Sequence, residues 1–427
     1  KGKTTTCYFI YQFLQNNFNK TALVSTTFFA IGENLESNET KMGMPGRFFL
    51  PKFLNRAFVQ GAKYAVVETT SEGILQHRQR FLNYDIAVFT SLSPEHIERH
   101  GSFSAYREAK ERLFEQCKEA HVLNLNDEHA KHFLEYPAKA KWGIILDNKI
   151  RNYPVQNILE GVLLSSSGES RPSRRAGRDP GIQEIHLDSR LRGNDNDRCL
   201  EIKEWKIVKG KKKLISRRTI ILPFPGKFNA MNLLLSLATG RAAGLSLNKL
   251  IKSISGLALP PGRMQELTDI SVPFRIFLDY AHEPLSLESV LAACREQLPK
   301  DKRLICLTGA QGGGRDKWKR KVMGAVAAKY CDFVIVGTED PYQEDPEKIN
   351  QAVLAGAISN KQFQEGINCW KFNERKEAIR KALSLAKNGD IIILTGKGGE
   401  KLMCAGNKKI PWDEEREVRK IILSSKF

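Results

Sequence analysis

A chain of 427 residues has room for two or three packed domains, and a hydrophobic content of 41% supplies their cores. No run of 18 or more apolar residues and no signal peptide occurs, and the eight cysteines form no C-x-x-C pair. These features argue against a membrane span, a disulfide framework and a structural zinc site, and predict a soluble, cytoplasmic protein; a monomer is expected. The net charge of +19 raises nucleic-acid binding, but residues 165–218 alone hold 15 Lys+Arg against 8 Asp+Glu and no nucleic-acid motif accompanies the charge. Basic clefts equally suit phosphate-rich small substrates, so no nucleic-acid partner is expected.

The first six residues, Lys1-Gly2-Lys3-Thr4-Thr5-Thr6, read as the second half of a phosphate-binding loop, G-x-x-x-x-G-K-[ST]. In that pattern backbone N–H groups cradle phosphates, the lysine meets the terminal phosphates and the hydroxyl holds Mg²⁺. The first glycine would precede residue 1, so the chain is expected to lack its natural N-terminus. A helical run from Cys7 to Phe18 follows. Apolar β-type runs then recur at Thr21–Thr27, Lys63–Thr69, Asp85–Ser91, His121–Leu125 and Trp142–Leu146. Helical patterns between them predict a mostly parallel sheet covered by helices, with sites at the carboxyl ends of strands.

Glu68 ends one of these strands. It is either a solvated acid or a ligand for Mg²⁺ beside the phosphate loop. The next strand runs into Ser93-Pro94-Glu95-His96-Ile97-Glu98-Arg99-His100, whose paired histidines and acids could bind a metal. Lys110, in the helical run SAYREAKERLFEQ, reads by itself as an exposed helix charge. Residues 165–218 are rich in Ser, Arg, Gly, Asp and Asn, and are expected to form a flexible basic insertion, about 165–213. After it, Asn229 and Asn232 stand three apart at a helix start, as caps or as amides able to read a base edge. Pro260-Pro261-Gly262-Arg263 looks like a linker. A second α/β unit has β-like runs at Phe274–Asp279, Arg303–Thr308, Asp332–Gly337 and Asp390–Thr395. Helical runs near 285–297, 319–330, 346–358 and 374–387 alternate with them. Three of its strand ends, DYAHEP (279–284), TGAQGGGRDKWKR (308–320) and TGKGGE (395–400), carry sequences that allow close approach to phosphate or carboxylate.

In order, GKTTT, ETTSEGILQHR, SLSPEHIERHG, YREAKERLF, GKFNAMN, GRM, DYAHEP, GGGRDKWKR and GKGGE resemble the Mur ligase family, specifically its MurE type. The resemblance covers nearly all of the chain outside the insertion. It implies an α/β fold with a central P-loop ATPase domain (1–258) and a Rossmann-like C-terminal domain (259–427), without the family's N-terminal UDP-binding domain. It implies ATP-dependent addition of a free amino acid to UDP-N-acetylmuramoyl-dipeptide through an acyl phosphate, in peptidoglycan biosynthesis. The roles it assigns are these. Gly2, Lys3, Thr4 and Thr5 hold ATP phosphates, with Thr4 and Glu68 on one Mg²⁺ and His96 on a second. Lys110 is carried as a carbamate. Asn229 and Asn232 read adenine, and Arg263, Asp279 and His282 surround the nucleotide. Thr70, Gln76 and Arg78 contact the muramoyl peptide. Arg315, Asp340, Tyr342, Gly396 and Glu400 select the incoming amino acid.

Several positions depart from the family pattern. Glu339-Asp340-Pro341-Tyr342 replaces DNPR, so a carboxylate-binding arginine is lost at Tyr342, and Asp340 is expected to favour a distal ammonium. Gly399 replaces the histidine of GKGHE, Thr70-Ser71-Glu72 replaces SSH, and Gly43-Met44 replaces a Thr-Thr pair. Two alternatives stand beside this reading. One is a related ligase of the folylpolyglutamate or cyanophycin synthetase type, which DYAHEP tolerates and QHR disfavours. The other is a decayed, non-catalytic ATP-binding homologue.

Overall fold

The computed structural model describes residues 1–18, 20–40, 42–93, 100–148, 153–164, 199–314 and 316–424. The chain divides into two compact units, Lys1–Ala258 and Leu259–Phe427.

The first unit contains two sheets. Strands β1 (Thr21–Val24), β2 (Phe28–Ile31), β3 (Asn34–Ser37) and β4 (Tyr64–Val67) form one, in the order β3-β2-β1-β4. Here β1 and β4 run parallel, while β2 and β3 continue as antiparallel hairpins. Strands β5 (Ile86–Phe89), β6 (Ala120–Asn124), β7 (Ala140–Leu146), β8 (Asn157–Leu164), β9 (Cys199–Val208) and β10 (Lys211–Ile221) form the other, in the order β10-β9-β8-β7-β6-β5. It is parallel from β5 to β8 and antiparallel beyond.

The helix Lys3–Phe18 packs against the helix Lys227–Ala242. Eleven of the sixteen residues in the latter are buried, because its sequence KFNAMNLLLSLATGRA is apolar or small on every side. Phe9 stacks on Phe224 at 4.9 Å, and the Ser236 hydroxyl donates to the Thr6 carbonyl at 3.2 Å.

Residues 199–213, expected within the flexible insertion, form most of the hairpin β9–β10. Leu200, Ile202 and Glu204 alternate inward along β9, and the Trp205 indole donates to Glu160 at 2.9 Å. Backbone pairing with β8 then satisfies a segment whose charges had hidden its period of two. The first three residues of β10, Lys211 to Lys213, are exposed on the last strand of the sheet. The rest of the expected insertion, residues 165–198, lies outside the described residues.

The second unit is built on one sheet with helices against it. Its strands are β11 (Gln265–Glu266), β12 (Arg275–Leu278), β13 (Leu304–Thr308), β14 (Phe333–Gly337), β15 (Cys369–Phe372) and β16 (Ile391–Leu394), in the order β11-β12-β16-β13-β14-β15. Strands β12 to β16 are parallel; β12, β13, β14 and β16 are almost wholly buried, as their runs of large apolar residues require, while β15 (CWKF) at the end of the sheet is half-buried beyond Cys369. A small hairpin, β17 (Leu402–Ala405) with β18 (Lys408–Pro411), follows. Because β16 returns between β12 and β13, the loops after β12, β16, β13 and β14 emerge side by side at one sheet edge.

The segment Pro260–Arg263, expected as a linker, is packed into this unit. A Cβ on Gly262 (φ +70°) would lie 1.7 Å from the Gly399 nitrogen, so only glycine allows the two loops to touch.

Candidate functional site

Of the site residues expected in the first unit, Gly2, Thr4, Glu68, Asn229 and Asn232 meet at the start of the helix Lys3–Phe18. Its opening N–H groups have no carbonyl one turn back, which makes this helix end a place for anions. Gly2 adopts φ +78°, and a Cβ there would sit 2.3 Å from Asn232 Oδ1. Asn232 also accepts from the Thr6 hydroxyl at 3.3 Å and donates to Asn229 Oδ1 at 3.3 Å, while Asn229 donates to the Pro225 carbonyl at 2.8 Å. Both asparagines are therefore buried beneath the glycine loop, with amide groups bonded within the protein.

The Thr4 hydroxyl donates to the Glu68 carboxylate, 3.1 Å and 3.0 Å from its two oxygens, and the Thr26 N–H donates to Glu68 Oε2 at 2.9 Å. Glu68 is 3% exposed, so the strand-end acid is turned inward to the phosphate loop. A hydroxyl and a carboxylate at one helix start fit Mg²⁺, which takes few protein oxygens and completes its shell with water and phosphate. Among the described residues no group of three or more His, Cys, Asp or Glu could hold a metal alone.

The Ser91 hydroxyl donates to the Lys1 carbonyl at 3.4 Å, bringing the loop after β5 to the phosphate loop. His96, further along, lies outside the described residues. Lys110 is half-buried on the helix Phe103–Gln116, its ammonium 4.9 Å from the Tyr106 ring centre. That helix packs against Ser71–Leu75, which Thr70 caps by accepting from the Gly73 N–H at 3.1 Å. Just beyond, Arg78 donates to the Met44 carbonyl and to Gln76 Oε1. Thr70, Gln76 and Arg78 are thus gathered with the Gly43-Met44 loop, where Met44 is fully buried.

In the second unit the strand-end loops form two neighbouring clusters. After β12, Asp279 is 5% exposed and accepts from the Met264 and Ala281 N–H groups, each at 2.7 Å. Burial raises its carboxyl above the ordinary range, opposed by Arg263. The Arg263 guanidinium stands 4.2 Å from the Tyr280 ring centre, and His282 Nδ1 lies 2.8 Å from the Tyr280 carbonyl. Arg263, Asp279 and His282 are thus brought together.

The second cluster is organised by Lys397, which sequence reasoning passed over. Fully buried, its ammonium donates to Asp340 Oδ1 at 2.9 Å, Glu400 Oε2 at 2.6 Å and the Leu402 carbonyl at 2.8 Å. Asp340, expected to favour a distal ammonium, is already engaged by this internal one and by the Cys404 N–H at 2.8 Å. Tyr342 adopts φ 50° and pairs its backbone with β17, its N–H donating to the Cys404 carbonyl at 3.1 Å. Arg315 lies outside the described residues.

Glu339 was also missed. It is fully buried, accepts from Gln311 at 2.9 Å through Oε1, and keeps Oε2 without a hydrogen-bond partner among the described residues. Burial first, then Asp340, pushes its carboxyl up to about 7, against the pull of Lys397. A Cβ on Gly396 (φ +99°) would lie 2.7 Å from that oxygen. Two acids in succession at a strand end were the available signal. Behind the cluster, Arg375 pairs with Glu414 at 2.6 Å and donates to the Thr395 and Thr338 carbonyls at 2.8 and 3.3 Å. That buried pair ties together the exits of β14 and β16.

The family model described as Mur ligase middle domain matches residues 1–163, and that described as Mur ligase, glutamate ligase domain matches residues 262–398. A UDP-N-acetylmuramoyl-L-alanyl-D-glutamate--2,6-diaminopimelate ligase of Caldanaerobacter subterraneus subsp. tengcongensis is 30% identical, over 99% of this chain and 77% of that protein. A UDP-N-acetylmuramyl-tripeptide synthetase of Roseiflexus sp. is 29% identical, over 99% of this chain and 76% of that protein. Among solved structures, a UDP-N-acetylmuramoyl-L-alanyl-D-glutamate--2,6-diaminopimelate ligase superimposes with a TM-score of 0.57 at 26% identity, covering 99% of this chain and 77% of that one. Folylpolyglutamate synthase of Mycobacterium tuberculosis shares the fold, with a TM-score of 0.61 at 15% identity over 93% of this chain and 86% of that one.

Proposed function

Since the chain belongs to the Mur ligase family, we propose that it is an ATP-dependent amide ligase of the MurE type, joining an amino acid to UDP-N-acetylmuramoyl-dipeptide in peptidoglycan synthesis. The observation that carries this reading is the Thr4–Glu68 contact at the head of the helix Lys3–Phe18. It sets a hydroxyl and a carboxylate beside the N–H groups and lysine that receive phosphate.

In this reading Gly2, Lys3, Thr4 and Thr5 bind the ATP phosphates. Thr4 and Glu68 would hold one Mg²⁺, and His96 with a carbamylated Lys110 a second. When bound, the metal neutralises charge on the phosphates. Thr70, Gln76 and Arg78 orient the dipeptide so that its terminal carboxylate attacks the γ-phosphate and ADP leaves. The incoming amine then attacks the acyl carbon of the acyl phosphate, and phosphate departs. Positioning and charge neutralisation, rather than covalent chemistry by the protein, supply the rate. Arg263, Asp279 and His282 surround the nucleotide. Asn229 and Asn232 reach adenine only by exchanging some of their internal bonds.

Arg315, Asp340, Tyr342, Gly396 and Glu400 select the amino acid. Tyr342 offers one hydroxyl and no positive charge, so a second carboxylate on the incoming amino acid finds no bidentate partner at this position. The test incubates the chain with ATP, Mg²⁺, UDP-N-acetylmuramoyl-L-alanyl-D-glutamate and each of the twenty amino acids or diaminopimelate, with products identified by mass. A tripeptide product is expected. Extension of folate polyglutamates without extension of the muramoyl dipeptide would overturn the assignment, and exclusive use of diaminopimelate would overturn the reading of Tyr342.

A further inference from the structure

The helix Phe49–Val59 turns Leu50, Phe53 and Ala57 into the core of the four-stranded sheet. Its far end leaves Phe58 and Val59 76% and 77% exposed, and Phe48, just before it, is 91% exposed. The turn after Ser71–Leu75 runs alongside. Leu82 packs on the same core as Leu54, and Arg47 Nε donates to the Gln76 carbonyl at 2.8 Å. This turn carries Phe81, 87% exposed and at φ 72°. An aromatic residue with positive φ is uncommon, so the backbone holds this ring outward against both its steric preference and its hydrophobicity. Exposed rings grouped on one flank mark a contact surface.

The charge around the rings is mainly positive. From Met42 to Val67 the sequence contains Arg47, Lys52, Arg56 and Lys63 and no Asp or Glu. Arg80 stands 5.3 Å from the ring centre of Phe81, and Arg56 stands 5.2 Å from that of Phe53. One neighbouring acid, Glu36, approaches Arg56 at 3.7 Å. A second copy of the chain would set these cations against themselves in a two-fold contact. Aromatic rings interleaved with cations on the outer face of a short helix match the boundary of an anionic bilayer, where rings enter the headgroup layer and cations meet lipid phosphates.

We infer that this flank docks reversibly on an anionic lipid surface, with Phe48, Phe58 and Phe81 as the inserted groups and Arg47, Lys52, Arg56 and Arg80 as the phosphate-facing ones. No helix among the described residues is long and apolar enough to cross a membrane, so the attachment is peripheral.

The test sediments the full chain with vesicles of phosphatidylcholine alone and of phosphatidylcholine mixed with phosphatidylglycerol, at low and high salt. Binding is expected to the anionic vesicles only, weakened by salt. The Phe48→Ser/Phe58→Ser/Phe81→Asn variant should bind at least about tenfold more weakly, because its apolar insertion is gone. Should that variant not fold, Lys52→Gln/Arg56→Gln tests the charge half of the same surface and should also bind more weakly. The inference is overturned if the wild-type chain ignores anionic vesicles, or if a folded variant binds as well as wild type. It is also overturned if sedimentation velocity without lipid shows wild-type dimers that the variants abolish, which would make the flank an interface between copies.

Discussion

Replacing Glu339 by Gln should stabilise the protein in alkaline solution. The side chain is fully buried, and its carboxyl is pushed from the ordinary 4.5 up to about 7. A carboxyl that titrates higher when folded lends stability that is complete below the unfolded value and is lost as pH rises through the folded one. The window therefore runs from about pH 4.5 to about pH 7. A shift of this size corresponds to roughly 3 kcal/mol, at about 1.4 kcal/mol per unit, and relaxation around the charge reduces that to about 1–3 kcal/mol. Glutamine keeps the shape and an oxygen for Gln311, which now donates to Glu339 Oε1 at 2.9 Å. The assay is urea unfolding of both proteins at about pH 8 and about pH 5, read by a probe in the second unit. The glutamine variant should gain about 1–3 kcal/mol at the higher pH and little at the lower. A loss of stability at the higher pH, or a gain equal at both, would refute the claim that Glu339 is a buried charge held at a cost.

Lys397→Met removes the cation shared by Asp340 and Glu400 and should destabilise the second unit by about 3–5 kcal/mol; a change under about 0.5 kcal/mol in the same unfolding assay counts against the hub. Burial lowers the basicity of His121, whose Nδ1 has no hydrogen-bond partner among the described residues, below its ordinary 6.5. A histidine held neutral in this way adds stability above 6.5 and loses it as pH falls toward the folded value, so His121→Gln should flatten that acid limb in pH-resolved melting curves. Thr4→Val should cut ligation about 100-fold with its unfolding midpoint nearly unchanged, and wild-type turnover at saturating Mg²⁺ would exclude Thr4 as a metal ligand. Lys110→Ala should abolish ligation without unfolding the chain, and added short carboxylates should restore part of it by supplying the missing anionic oxygen; full activity without them removes Lys110 from the mechanism.

The strands and glycine loops of both units were legible because chemistry and backbone geometry constrain them locally. Asp345-Pro346 caps and opens the helix Pro346–Ile358, which ends where its periodicity predicts. The TGKGGE and DYAHEP loops stand at strand ends, as read. What escaped was long-range. The hairpin β2–β3 is a short apolar strand followed by the fully exposed NLES, without the alternation that marks a half-buried strand. The pairing of Lys397 with Asp340 joins residues 57 apart in sequence, and no local spacing announces it. Arg375 and Glu414 each open a helix, with no local pattern to mark them, yet both are almost fully enclosed. For the same reason Asp340 could be located but not its partners.

The lysines at the start of β10 have a consequence for the behaviour of the protein at high concentration. As the last strand of its sheet, β10 presents backbone groups that a strand from another molecule could pair with. Lys211, Lys212 and Lys213 confront any such visitor with three exposed like charges, and an identical strand would bring three more. Intermolecular strand addition is thereby discouraged at this end of the sheet. Exchange of these lysines for threonine would leave β9–β10 pairing intact while removing that repulsion. The altered chain should then aggregate at concentrations where the original stays dispersed.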